Sequence, residues 1–266
     1  MLVGSFMSSR GVFISDLHLL TRRSVAPAHW QQLLPELRQS DLLVLGGDIF
    51  DFRWSTHGDL LRSTQAAKEW LQSALEVNQK LRIIYLLGNH DCLPSMQAML
   101  QTLATEVPRF CWTEQHLALD QCLFLHGDVL DAGISPNALA AYRSKFSDQH
   151  RERGDLAHRM YDLVVASRIH SVPAKLIHRP LRVMKRLSDY LQSLDLTAEQ
   201  GIHQVYFGHT HQPLAGVAYK EQLFFNPGSG IRHLPFTPCR FQTDIDLDQV
   251  VEQLTLQPTE PQRFKR

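Results

Sequence analysis

Five short apolar runs along the chain each stop at a polar group. Val12-Phe13-Ile14 leads into Ser15-Asp16-Leu17-His18, and Leu42-Leu43-Val44-Leu45 into Gly46-Gly47-Asp48-Ile49-Phe50-Asp51. Ile83-Ile84-Tyr85-Leu86-Leu87 leads into Gly88-Asn89-His90-Asp91, Cys122-Leu123-Phe124-Leu125 into His126-Gly127-Asp128, and Val205-Tyr206-Phe207 into Gly208-His209-Thr210-His211. Runs this short and this apolar predict strands buried on both faces, as in parallel sheets. A polar group directly after each run then sits at the sheet's C-terminal edge, where open α/β folds place their ligands.

Helical spacing fills the gaps between these strands. Trp30, Leu33, Leu34 and Leu37 share a face over 28–39, with Pro35 as a local obstacle. Leu60, Leu61, Ala67, Trp70, Leu71, Ala74 and Leu75 predict a long helix over 58–79, and Pro94 opens a third over 94–103. Past residue 110 the texture becomes shorter strands: 110–112, 116–119 and 121–126, then 215–219 and 222–225, with 240–247 and 250–256 read as closing strands. The Pro-rich tail 258–266 reads as flexible.

Residues 134–200 lack strand pattern and read as a helical insertion into a domain made of 1–133 and 201–257. Between 168 and 186 every charge is basic: Arg168, Lys175, Arg179, Arg182, Lys185 and Arg186. Apolar residues from Leu176 to Leu194 recur at helical spacing beside them. Two readings fit: a solvated face over a core stripe, or a cap that receives an anionic, partly apolar substrate or rests on a membrane surface.

Composition narrows the partners. Lys plus Arg and Asp plus Glu both total 27, so net charge gives no pull toward nucleic acid. Cys92, Cys111, Cys122 and Cys239 form no zinc or C-x-x-C spacing and read as reduced thiols, with a cytoplasmic location expected. The start has no basic segment followed by an apolar core, so no signal peptide is expected and Met7 is a candidate start. No apolar run nears the ~20 residues that span a bilayer; at most a peripheral contact through 168–194 on the inner face is expected.

The strand-end side chains carry the chemistry. Asp16 and His18, read as alternating along an extended segment, aim at one point, and His209 and His211 repeat the arrangement. Asp48, Asn89 and His126 arrive from separate strands. Mixed oxygen and imidazole donors suit manganese, iron or zinc. Seven candidate ligands are too many for one ion and suit two divalent ions sharing Asp48, with manganese first and iron or zinc as alternatives.

Asp16-x-His18, Gly47-Asp48, Gly88-Asn89-His90-Asp91, His126-Gly127 and Gly208-His209-x-His211, with the late turn Asn226-Pro227-Gly228-Ser229, together resemble the calcineurin-like metallophosphoesterases over about residues 12–230. The resemblance implies a four-layer α/β sandwich of two mixed sheets flanked by helices, with a helical insertion. It implies one ion on Asp16, His18, Asp48 and His211, a second on Asp48, Asn89, His126 and His209, and phosphoester hydrolysis. His90 stands outside that ligand count and is expected to contact phosphate and protonate the leaving oxygen, with Asp91 holding its ring. Asp51 and Asp128 are expected to be supporting or turn residues. Within the family, the insertion is similar to that of the UDP-2,3-diacylglucosamine pyrophosphatases of lipid A synthesis, which commonly have Arg where this chain has His90. That likeness implies an acylated nucleotide sugar as substrate. The alternatives are a phosphatase or phosphodiesterase of nucleotides or phosphoproteins, and a non-enzymatic scaffold.

Overall fold

A computed structural model describes residues 8–133, 136–147 and 179–265 of the chain. The basic stretch 168–178 lies outside them. Strands β1 (Ser9–Ile14), β2 (Leu42–Gly46), β3 (Arg82–Leu86) and β4 (Phe110–Thr113) run parallel in one sheet. Strand β10 (Cys239–Thr243) closes its other edge antiparallel to β1. The second sheet has the order β11-β5-β6-β7-β9-β8, with β5 Leu117–Leu119, β6 Cys122–Leu125, β7 Gln204–Phe207, β8 Leu214–Tyr219, β9 Gln222–Asn226 and β11 Gln262–Phe264.

Period-two alternation sorts these strands into layers. Val12, Ile14, Leu43, Leu45, Ile83 and Tyr85 face outward, onto helices α1 (Ala26–Leu37), α2 (Leu60–Glu76) and α3 (Pro94–Glu106). Their neighbours Phe13, Leu42, Val44, Ile84 and Leu86 face inward and meet Leu117, Leu119, Cys122, Phe124 and Tyr206 of the second sheet. The outer face of that sheet, with Leu123, Leu125, Val205 and Phe207, is covered by α4 (Val129–Ala132), α5 (Pro136–Ser147) and α6 (Pro180–Gln192). The result is a helix–sheet–sheet–helix sandwich of two mixed sheets, with α5 and α6 falling in the expected insertion.

Three details differ from the sequence reading. Residues 250–256, expected as a strand, lie in helix α7 (Leu247–Leu256). Asp246 caps it by accepting from the Asp248 amide at 3.0 Å, and Val250, Val251 and Leu254 form a buried helical stripe. The paired valines suggested a strand; the cap and the stripe prevail. In the tail, Gln262–Phe264 pairs in parallel with β5, and Phe264 is buried. Leu61 is 80% exposed, so the buried face of α2 is narrower than its apolar pattern. Helix α1 does run through Pro35 as far as Leu37. All four cysteines are free and buried, and among the described residues no helix is long and apolar enough to cross a membrane.

Candidate metal centre

The parallel strands β1, β2, β3, β6 and β7 all release their chains at one edge of the sandwich, and the polar groups predicted from sequence converge there. The conformation that brings them in differs from the expected extended alternation. Asp16 and His18 have φ of 54° and 47°, Asp48 52°, and His209 and His211 65° and 57°. Non-glycine residues in this left-handed region typically store about 1–3 kcal/mol each and persist where surrounding contacts over-determine them. Those contacts are present. The Asp16 amide donates to the Gly47 carbonyl at 3.0 Å and the His18 amide to the Asp48 carbonyl at 3.0 Å, so β1 and β2 stay joined past their ends. Ser229 Oγ and the Gly230 amide, in the late turn, both donate to the Asp16 carbonyl at 2.9 Å. Asn226 donates to the Gly208 carbonyl at 2.9 Å and accepts from the Gly228 amide at 2.8 Å. Gly88 and Gly208 permit the close approach: a Cβ at Gly88 would strike Asp48 Oδ1, and one at Gly208 would strike Asp16 Oδ2.

Two subclusters result. In the first, His18 Nε2 lies 3.1 Å from His211 Nε2, and His211 Nε2 lies 3.2 Å from Asp16 Oδ1. In the second, His126 Nε2 lies 3.4 Å from Asp48 Oδ2, and His209 Nδ1 lies 3.1 Å from Asn89 Oδ1. Asp48 groups both with His126 and His209 and with His18 and His90, so it stands between the halves. All seven candidate ligands therefore share one site. Its floor is sealed, with Asp16, His18, Asp48, Asn89 and His126 all buried, while the side chains of His90, His209 and His211 are 19%, 10% and 24% exposed and form the mouth.

The donor chemistry fits divalent cations. His126 Nδ1 lies 2.9 Å from the Gly46 carbonyl and can only donate to it, which turns Nε2 toward Asp48 as the position where a proton or a cation sits between ring and carboxylate. That Nε2 is buried without a hydrogen-bond partner. His209 is supported in the same way, with Nε2 2.9 Å from Asp131 Oδ2 behind the ring and Nδ1 turned to the site. Asp131 was not anticipated from sequence: it lies beyond the His-Gly-Asp motif, in a four-residue helix whose register no pattern revealed.

Burial and charge divide the histidines. Burial, with the positive charge of Arg23 nearby, pushes His18 down to about 4 despite its Asp51 neighbour, so the ring is neutral and its lone pair free. Burial also acts against charge on His126, but the Asp48 carboxylate overrides it and raises that ring to about 10. Burial alone would raise Asp48; His126, His90 and His18 outweigh it and hold the carboxyl well below its ordinary value.

His90 is placed as expected, but its support is not. Its Nδ1 lies 3.1 Å from Asp51 Oδ1, and its amide donates to Asp48 Oδ1 at 2.8 Å. Burial opposes charge on this ring, yet Asp51 and Asp48 together raise its pKa. Asp51 in turn accepts from Arg23 and from the Trp54 amide. Asp91, expected to hold the His90 ring, instead accepts from the Gly88 amide at 2.7 Å, the Ile49 amide at 3.0 Å and the Tyr85 hydroxyl at 2.6 Å. It ties β3 to β2 beneath the site. The bend over residues 89–91 directs that carboxylate inward, away from the His90 ring. Asp128 forms a two-point ion pair with Arg143, with Nε–Oδ2 at 2.7 Å and Nη2–Oδ1 at 3.0 Å.

Comparison with known proteins agrees with this geometry. The calcineurin-like phosphoesterase family matches residues 10–213, which include all seven strand-end candidates. Among curated proteins none matches. Among solved structures, a dimetal phosphatase from Danio rerio is similar with 12% identity and a TM-score of 0.44, covering 87% of this chain and 91% of that one. Vps29 from Chaetomium thermophilum is similar with 15% identity and a TM-score of 0.33, covering 85% of this chain and 71% of that one. The family match spans most of the chain and every strand-end motif, and on that basis the protein belongs to the calcineurin-like phosphoesterases and is a metal-dependent phosphoester hydrolase.

Proposed function

We propose that two divalent cations, manganese first among them, bind at the strand ends: one on Asp16, His18, Asp48 and His211, the other on Asp48, Asn89, His126 and His209. The observation that carries this reading is His126 Nε2, buried, without a hydrogen-bond partner and turned to Asp48 by the Gly46 carbonyl on its other nitrogen. When bound, such a pair supplies an activated water and charge neutralisation for an in-line displacement at phosphorus. The protein's own groups do the rest. Asp131 and the Gly46 carbonyl fix the tautomers of His209 and His126. His90 stands at the mouth with Nδ1 against Asp51, leaving Nε2 to carry a proton to the departing oxygen. The neighbouring carboxylates that raise its pKa keep that proton available.

For the substrate, we propose a pyrophosphate-linked, acylated nucleotide sugar of the UDP-2,3-diacylglucosamine type. Two features support it. Helix α6 shows solvent a face with Arg179, Arg182, Lys185, Arg186 and the 68%-exposed Leu181, which suits an anionic, partly apolar ligand or membrane surface. Helix α5 brings Phe146 to within 5.8 Å of the His90 ring, which supports a lid role for the insertion. A second reading, a phosphatase or phosphodiesterase of nucleotides or phosphoproteins, is favoured by His90 itself, the residue at which this chain departs from the pyrophosphatase group.

Metal analysis and a substrate panel test both levels. Chelation should abolish hydrolysis and added Mn²⁺ should restore it; full turnover by metal-free protein would end the two-metal reading. Preference for acylated over unacylated nucleotide sugars would support the lipid substrate, and indifference to the acyl chains would move the assignment to the second reading.

A further inference from the structure

Arg143 lies on α5, in the insertion, yet its side chain is directed into the body of the sandwich and is 6% exposed. Its guanidinium joins three separate strand ends. It pairs with both oxygens of Asp128, two residues after His126. It donates at 2.8 Å to the carbonyl of Leu87, the residue just before Gly88-Asn89-His90. It also donates to the Glu114 carbonyl, past the end of β4. A planar fork of five donors can hold such a set of acceptors at fixed angles, which a lysine cannot. The same helix turn touches the His90 loop again. The Cys92 thiol lies 3.5 Å from the carbonyls of both Asn89 and Arg143. Phe146, one turn further on, packs its ring against His90 and is backed by Tyr142 at 5.0 Å.

We infer that Arg143 is a positioning residue, which locks α5 against the Leu87–His90 segment and so sets the His90 ring at the mouth for proton delivery. The inference rests on the proposed role of His90. Arg143 touches neither the candidate ligands nor any reacting atom. It acts through Leu87 on one side and through the placement of Phe146 on the other. A shift of about 1 Å in a positioned group can cost on the order of 10²-fold in rate, so a loosened α5 should be visible in turnover.

The test compares Arg143→Lys, Arg143→Gln, Phe146→Leu and His90→Ala on two small phosphodiesters, one with an activated aryl leaving group and one with a poor alkyl leaving group. Metal content and thermal unfolding are measured alongside. The expected result is a fall in kcat on the poor leaving group of about 10–100-fold for Arg143→Gln. The fall should be smaller for Arg143→Lys, and the loss on the aryl ester much reduced, with KM and metal content close to wild type. Phe146→Leu removes no buried charge and alters a half-buried side chain, so it carries the test if the arginine variants do not fold; it should show the same split, more weakly. Equal losses on both esters, or losses that track only the folded fraction, would overturn the inference. His90→Ala separates the two levels. If it shows the split and the Arg143 and Phe146 variants do not, positioning fails and the proton-donor reading stands. If His90→Ala shows no split, the proton-donor reading fails and takes the inference with it.

Discussion

At the strand ends, Asp16, Asp48 and His126 are sealed from solvent within a few ångströms of one another, whereas on α6 Arg179, Arg182 and Arg186 stand in water. Both regions concentrate charge, with opposite consequences. In the sealed site each partner matters: Asp48, with Asp128 and Asp16 behind it, raises His126 to about 10, while His18, equally buried, falls to about 4. On α6, Lys185 already has its partner in Asp189 at 2.8 Å, and salt screens what remains. The chemistry of this protein is therefore set by short, desolvated contacts that ionic strength hardly touches. Any attraction of the insertion for an anionic ligand is collective and salt-sensitive.

The comparison breaks most completely at Asp48, which stands between the two subclusters. Asp48→Ala should eliminate hydrolysis and reduce bound metal, read by elemental analysis on folded protein. Near-normal turnover with a full metal complement would show that the two halves do not share this carboxylate. His90→Ala comes next. It should retain metal and lose ~10²–10⁴ in kcat on a poor leaving group, with a much smaller loss on an activated aryl ester. A metal-depleted His90→Ala protein would instead make this histidine a ligand, which its grouping with His18 and Asp48 makes worth measuring.

How much of this was legible in the sequence follows the same division. The five strand ends were readable because a buried parallel strand must be apolar throughout, so the first polar residue after it marks the edge. The two facing sheets follow from the alternation of Val12 and Ile14 against Phe13. Contacts decided by loop conformation were not legible. The left-handed backbone at Asp16, His18 and Asp48 leaves no compositional trace, because only glycine advertises positive φ. Asp51 rather than Asp91 faces His90 because of how the chain bends over residues 89–91. Arg143 was invisible in another way: a single arginine on a helix of weak amphipathic pattern reads as surface, and its burial depends on Asp128 and two carbonyls contributed by distant segments. In α7 the cap residue Asp246 is the helix signal that the sequence carries, and the β-branched Val250 and Val251 beside it favour a strand.

A buried histidine outside the site sharpens the contrast. His116, between β4 and β5, is 8% exposed, its Nδ1 has no hydrogen-bond partner, and burial alone pushes its pKa down to about 4. The folded-state pKa lies below the unfolded value, so the unfolded chain binds more protons between pH 6.5 and 4. The resulting stability is fully present above about 6.5, the unfolded pKa, and is lost as the pH falls through the folded one, with an upper limit of about 3 kcal/mol. His116→Gln should therefore lessen the drop in unfolding free energy between pH 7 and 4.5, measured by denaturant titration, while leaving turnover at neutral pH unchanged. An unaltered pH dependence would mean that groups other than His116 account for the acid sensitivity.

The smallest effect on chemistry belongs to α6. Val183, Met184, Leu187, Tyr190 and Leu191 anchor this helix to the second sheet, so its exposed charges can be removed without disturbing its seat. Arg179, Arg182 and Arg186 are the informative set, because neutralising Lys185 would also unpair Asp189. Their triple change to Gln should leave kcat and KM on a small soluble phosphodiester at wild-type values, since no strand-end contact involves them. KM for an anionic, acylated substrate should rise roughly tenfold at low salt, because each basic group near an anionic surface adds a modest, screenable attraction. The difference between variant and wild type should shrink as salt is added, and binding to vesicles rich in anionic lipid should weaken in parallel. A triple variant that matches wild type on the acylated substrate and on vesicles at every salt concentration would make this face ordinary solvated surface. The one-sided charge of α6 would then say nothing about the substrate, and the reading as a phosphatase or phosphodiesterase of nucleotides or phosphoproteins would take its place.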